Sequence, residues 1–204
     1  MKYLSIILVF FQINYTFSQL EISPAIGYMV NGKLQFEQGH IDIGNSLSAS
    51  VAISAEVTNT MDLELDYTYG TKTDLRFLPN NYSTYTEGST EISTHYITLN
   101  AINYFLDEGL LKPYMSLGAG AAIFDITGLN NVYRFTATAG LGLKYQLSHR
   151  FGLKLQARFI APLEFEGAGL YVGISGSGIS PGLSLRSSVP IPVGDFRIGL
   201  NIAL

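Results

Sequence analysis

Along most of the chain, apolar and polar residues alternate with period two, the spacing of β-strands whose faces meet different surroundings. A first strand over Leu20–Asn31 sets Leu20, Ile22, Ile26, Tyr28 and Val30 on one face. A second aligns Leu47, Ala49, Val51, Ile53, Ala55 and Val57 against Ser46, Ser48, Ser50, Ala52, Ser54 and Glu56. A third shows Leu63, Leu65, Tyr67 and Tyr69 against Glu64, Asp66 and Thr68. The fourth, residues 91–106, supports two registers: Ile97, Leu99, Ala101 and Phe105 form the preferred apolar face, and Tyr96, Ile102 and Tyr104 the competing one. Met115, Leu117, Ala119, Ala121 and Ile123 mark the fifth strand, and Phe135, Ala137, Ala139, Leu141, Leu143, Tyr145 and Leu147 the sixth. Leu153, Leu155, Ala157 and Phe159 mark the seventh, and Phe196, Ile198, Leu200, Ile202 and Leu204 the eighth. Short connections at 58–61, 107–112 and 148–150 alternate with longer polar ones at 32–44, 78–90, 125–132 and 161–195. Short turns at one end and long loops at the other is the layout of a transmembrane β-barrel.

One set of faces is bulky and apolar, and the other is small or charged. The interior of a closed eight-stranded ring is just wide enough to be filled by side chains. Gly, Ser, Ala and Thr are therefore expected inside, and Leu, Phe and Tyr outside, where only lipid tolerates a continuous apolar belt. The expected fold is all-β: a closed antiparallel transmembrane β-barrel of eight strands, both termini at the short-turn end. The strand-like segment 167–192 leaves open a projecting hairpin or a further strand pair making ten. A soluble eight-stranded carrier would need the opposite facing, with the bulky residues inside. Tyr28, Tyr67, Tyr69, Tyr104, Tyr114, Tyr133 and Tyr145 lie near strand ends, where a ring with a polar tip suits the headgroup boundary.

Composition narrows the picture further. Charged residues make up 14% of the chain, well below the roughly 25% of soluble domains. The absence of Cys excludes disulfides, thiolate catalysis, iron–sulfur clusters, Cys-based zinc sites and a lipidated-Cys anchor. A net charge of −4 gives no basic footprint for nucleic acid. Residues 1–18 read as a signal peptide: Lys2, then the apolar run LSIILVFF, then Thr16 and Ser18 as small residues at a cleavage site. The barrel is then residues 19–204.

The inward faces carry the charges. Glu56, Glu64 and Asp66 lie on the second and third strands, and Lys144, Lys154, Arg158 and Arg197 on the sixth to eighth, with Gln146, Gln156 and Asn201 among them. These two groups stand across an eight-membered ring from one another. Since buried charges must be paired, they are expected to meet in a hydrogen-bonded network that plugs the lumen. A narrow passive pore lined by both signs is the alternative. Catalytic chemistry is sparse. His40, His95 and His149 lack metal-ligand spacing, so neither a metal nor a cofactor is expected. Ser93 and His95, with Glu91 as orienting carboxylate, are the single candidate set for a lipid hydrolase. Glu164 and Glu166 in the last long connection read as solvated acids or calcium-bridged lipopolysaccharide contacts. Residues 173–178, GISGSG, lack the lysine and helix of a phosphate loop.

Leu111-Lys112-Pro113-Tyr114 leading into Gly118 and Gly120, and Gly140-Leu141-Gly142-Leu143-Lys144-Tyr145 running to Phe151-Gly152-Leu153, resemble the small outer-membrane β-barrels of Gram-negative bacteria, in particular the porin-like proteins of the Bacteroidetes. The ending Thr16-Phe17-Ser18-Gln19 is similar to the signal peptides of that group. The last strand, 196–204, resembles the signal read by the barrel-assembly machinery, although Leu204 stands where the family usually has Phe. The resemblance implies a cell outer-membrane location, periplasmic termini, and contact with outer-membrane lipid and lipopolysaccharide. The expected function is that of a non-enzymatic integral outer-membrane protein with a structural or surface-binding role, its loops presented to an extracellular partner.

Overall fold

The computed structural model describes residues 20–36, 39–79, 88–106, 108–128, 131–175, 178–188 and 192–204. Residues 1–18, where a signal peptide is expected, and the segment 80–87 lie outside them. Every regular element among the described residues is a strand: β1 (Leu20–Asn31), β2 (Lys33–Phe36), β3 (Gly39–Ile43), β4 (Ser46–Thr58), β5 (Met61–Pro79), β6 (Gly88–Tyr104), β7 (Leu111–Ile126), β8 (Val132–Gln146), β9 (Phe151–Ser175), β10 (Gly178–Ser188) and β11 (Val193–Ala203). Eight of these close a ring in the order β1-β4-β5-β6-β7-β8-β9-β11, every pair antiparallel. Closure leaves no strand edge within the membrane, where an unpaired backbone group would cost several kcal/mol. The seam between the first and last strands runs from Glu21 opposite Ala203 up to Asn31 opposite Val193. Leu204 completes it by donating its amide to the Leu20 carbonyl at 2.9 Å.

The ring has eight members, not ten. β10 pairs with the upper part of β9, from Gly178 opposite Ser175 to Ser188 opposite Glu164, and so forms a hairpin beyond the ring. The expected polar loop at 32–44 is likewise a hairpin, β2–β3, whose second strand extends the sheet along the top of β5. A long antiparallel pair leaving the membrane continues its ladder, because unpaired backbone groups gain by staying paired. The short connections follow β4, β6 and β8, and Gly109 supplies a positive φ of 110° in the β6–β7 turn.

Bulky residues face out on every ring strand. Ile26, Leu47, Leu65, Leu99, Leu117, Leu141, Leu155 and Ile198 are all exposed, Ile26 at 68%. The preferred register of the fourth ring strand holds: Ile97 and Leu99 face out, while Tyr96, Ile102 and Tyr104 are buried inside. An apolar belt around a closed sheet is stable only against hydrocarbon, so this is a membrane barrel and not a soluble carrier.

The interior departs from the expectation of small residues alone. Met29, Ile43, Ile92, Tyr96, Phe124, Ile160 and Val193 fill the hairpin end of the lumen. Ile102, Tyr104 and Tyr114 form a second apolar cluster toward the short turns. Tyr104 and Tyr114 are therefore not girdle residues. Each alternates with outward neighbours, Phe105 and Met115, so its ring must point inward. Glycines make the room. A Cβ on Gly142 would lie 2.2 Å from Cζ of Tyr114, and one on Gly118 would lie 2.0 Å from Oδ1 of Asn100. The other expected girdle tyrosines split in a consistent way: Tyr28, Tyr67, Tyr133 and Tyr145 are exposed and Tyr69 is half-buried against His95.

Candidate functional site

Between the two apolar clusters lies a charged layer supplied by β4, β5, β9 and β11. Alternation along β5 points Glu64, Asp66 and Thr68 inward, and all three are fully buried. On the far wall, the same alternation along β9 delivers Lys154, Gln156 and Arg158, and along β11 it delivers Asp195 and Arg197.

Arg158 is the hub. Its Nη1 donates to Asp66 at 3.0 Å, its Nε to Asp195 at 2.8 Å, and its Nη2 to the Thr68 hydroxyl at 2.6 Å. Arg197 donates to the second oxygen of Asp66 at 2.6 Å and to the Gln156 carbonyl at 2.7 Å. Lys154 donates to Glu64, and Arg197 stands 3.9 Å from the other Glu64 oxygen. Ser48 donates to Asp195 at 3.1 Å, and the Gln156 amide reaches Ser116 on β7 at 3.2 Å. Three carboxylates thus balance three cations: Glu64 and Asp66 face Lys154, Arg158 and Arg197 across the lumen, and Asp195 lies beside Arg158 on the neighbouring strand. Each of these buried charges has an oppositely charged partner and a hydrogen bond, as burial requires.

Glu56 and Lys144, expected in this network, are placed elsewhere. Lys144 contacts both oxygens of Glu21, at 2.6 and 2.7 Å, at the short-turn end. Its ammonium also lies 5.6 Å from the Tyr104 ring centre. Glu56 stands at the mouth beside Asp62, whose carboxylate accepts the Tyr104 hydroxyl at 2.7 Å. Together with Asn59, Glu108, Lys112 and Gln146 these residues line a vestibule of about 310 Å³. The reason is axial distance. Lys144 and Glu56 each sit two residues from the end of their strand, and the register sets Lys144 opposite Lys154, two inward positions from Arg158.

Sequence reasoning missed three charged lumen residues. Glu21 and Asp62 are at positions whose alternation already points inward. Asp195 fell within a segment read as loop, although it precedes Phe196 of the outward set and must face the opposite way.

No protein-family model matches this chain, and no curated protein sequence does. Its fold is similar to that of several solved structures. The outer membrane protein OprG from Pseudomonas aeruginosa superposes with a TM-score of 0.59 at 11% identity, covering 90% of this chain and 95% of that one. Neisserial surface protein A gives 0.57 at 13% identity, with 90% and 96% covered. The outer membrane protein AlkL, solved in lipid bilayers, gives 0.53 at 14% identity, with 92% of each chain covered. The fold is that of the small outer-membrane β-barrels.

An outer-membrane barrel has its short turns and termini in the periplasm and its hairpins outside the cell, which gives the lumen its axis. From the outside inward run an apolar layer, the charged layer, the Tyr104–Tyr114 pair and the periplasmic vestibule. The residues considered for lipid hydrolysis are not assembled as a triad. His95 Nδ1 and the Tyr67 hydroxyl share a hydrogen bond of 2.9 Å, and the imidazole packs 5.0 Å from the Tyr69 ring, on the outer surface. Glu91 pairs with Lys72 at 3.4 Å. Among the described residues, no group of three His, Cys, Asp or Glu side chains is placed to hold a metal ion.

Proposed function

We propose that this chain is a non-enzymatic integral outer-membrane protein whose lumen is closed and whose role is structural or surface-binding. The supporting observation is the charge-balanced layer joining β5, β9 and β11. Arg158 reaches β5 and β11 at once and so bridges the lumen at that level. The apolar layer above it, with Tyr96, Phe124 and Ile160 fully or nearly fully buried, adds a dry barrier on the extracellular side. Binding would fall to the hairpins β2–β3 and β9–β10, which extend past the ring toward an extracellular partner. The sequence resemblance supports a Bacteroidetes-type member with a cleaved signal peptide over residues 1–18, inserted by the barrel-assembly machinery through strand 196–204, and in contact with outer-membrane lipid and lipopolysaccharide.

Planar-bilayer recording of the purified, folded barrel tests the closed lumen. The expected record is a flat baseline. Steady single-channel steps would overturn the reading in favour of a narrow passive pore. Substituting His95 by Ala tests the absence of lipid hydrolysis: the lipid A mass profile of cells expressing the variant should match that of cells expressing the unaltered protein.

A further inference from the structure

The periplasmic vestibule holds two like-charge pairs fixed by hydrogen-bond register. Lys112 on β7 stands opposite Lys144 on β8, and Glu56 on β4 stands opposite Asp62 on β5. All four line the same cavity of about 310 Å³. The pairs belong to facing walls, because β4 and β8 are diametrically opposite in the ring order. Like charges directly opposite one another on adjacent strands are destabilising, so each pair is a cost that the fold carries.

In each pair one member is answered and the other is not. Lys144 contacts Glu21 at 2.6 Å, and Asp62 accepts the Tyr104 hydroxyl at 2.7 Å. Glu56 and Lys112 are half-buried, and neither makes a hydrogen bond or an ion pair among the described residues. Lys112 instead crowds Lys144 on a single ring, their ammonium groups 6.0 and 5.6 Å from the Tyr104 centre. Glu108, exposed on the turn before β7, lines the cavity without pairing with Lys112. Ser54 on the cavity wall is 3% exposed, and its hydroxyl also has no hydrogen bond among the described residues. Departures of this kind from the pairing rules concentrate at functional sites.

We propose that the vestibule binds a small periplasmic zwitterion of dipeptide size. Its carboxylate accepts from Lys112, its ammonium donates to Glu56, and the Ser54 hydroxyl is free to bond the peptide group between them. The ligand must carry both signs: an anion alone would meet Glu56 and Asp62 across the cavity, and a cation alone would meet Lys112 and Lys144. The two unanswered groups lie on separate walls, so the ligand's charges belong at its two ends. A cavity of this volume is at the small end of ligand pockets, which start near roughly 300 Å³. The site depends on the geometry of the mouth and not on closure of the lumen above it. A conducting barrel would therefore overturn the proposed function and leave this inference standing.

Isothermal titration of the folded protein in detergent micelles with alanyl-alanine is the test. N-acetyl-alanyl-alanine lacks the ammonium, and alanyl-alanine amide lacks the carboxylate. Each should bind about tenfold more weakly or worse, the loss of one charge-assisted hydrogen bond. Lys112→Met should weaken alanyl-alanine by a similar factor and erase its advantage over the amide. Glu56→Gln should erase its advantage over the acetylated form. Lys72→Met, at the extracellular rim, should bind as the unaltered protein does. The mobility shift between unheated and boiled samples checks the folding of each variant, and the three ligands on the unaltered protein decide the matter even where a variant does not fold. Equal binding of the three ligands overturns the inference, as does no binding of alanyl-alanine at millimolar concentration. Undiminished binding by folded Lys112→Met also overturns it, and so does binding of the amide alone, which would assign the cavity to a simple cation.

Discussion

Asp66→Asn isolates the logic of the charged layer. Asp66 is fully buried, and its two oxygens accept from Arg158 at 3.0 Å and Arg197 at 2.6 Å. Asparagine keeps the shape and one acceptor but removes the charge, leaving Glu64 and Asp195 against Lys154, Arg158 and Arg197. One cation is then uncompensated in a site without bulk water. Removing one member of a buried pair costs about 3–5 kcal/mol, and the retained amide carbonyl places this change near the lower end, about 3 kcal/mol. With a urea slope of about 2 kcal/mol per molar, the unfolding midpoint should fall by about 1.5 M. The assay is reversible urea unfolding in lipid vesicles, followed by far-UV circular dichroism and by gel mobility, since the chain has no Trp to report by fluorescence. The companion variant Asp66→Asn with Arg197→Met restores the balance of charge. It should recover at least half of the loss, because contacting residues are not additive. A single-variant midpoint within about 0.3 M of the unaltered protein, or a double variant showing the plain sum of two losses, would refute the reasoning.

Three further outcomes follow from other parts of the molecule. Gly142→Ala should destabilise by about 1–3 kcal/mol through overpacking against the Tyr114 ring, and Tyr114→Ala in the same chain should relieve that clash in the same urea assay. Leu65→Arg, in the lipid belt, should cost about 2–4 kcal/mol in vesicles if it lies near the bilayer centre, whereas a water-facing position would leave the midpoint unchanged. Tyr104→Phe removes the hydroxyl that Asp62 accepts at 2.7 Å. It should lower stability by about 1–3 kcal/mol through the unsatisfied carboxylate, and Tyr104→Phe with Asp62→Leu should recover part of that loss.

The period-two pattern determined the class of fold and the facing of every ring strand but the fourth, with eight as the preferred strand count. It could do so because a one-residue slip would carry a whole apolar face into the lumen, so register is written residue by residue. It also marked Glu64, Asp66, Lys154, Arg158 and Arg197 as inward-facing. Tertiary structure decided what alternation does not encode: height along the barrel axis. Arg158 finds Asp66 and Asp195, while Lys144 finds Glu21, because hydrogen-bond register between strands sets which inward residues share a layer. Register likewise made 164–188 a projecting hairpin and not two more ring strands. It also put Tyr114 opposite the inward Gly142 and Tyr104 beside Tyr114, giving interior room to rings whose positions near strand ends had suggested the membrane boundary.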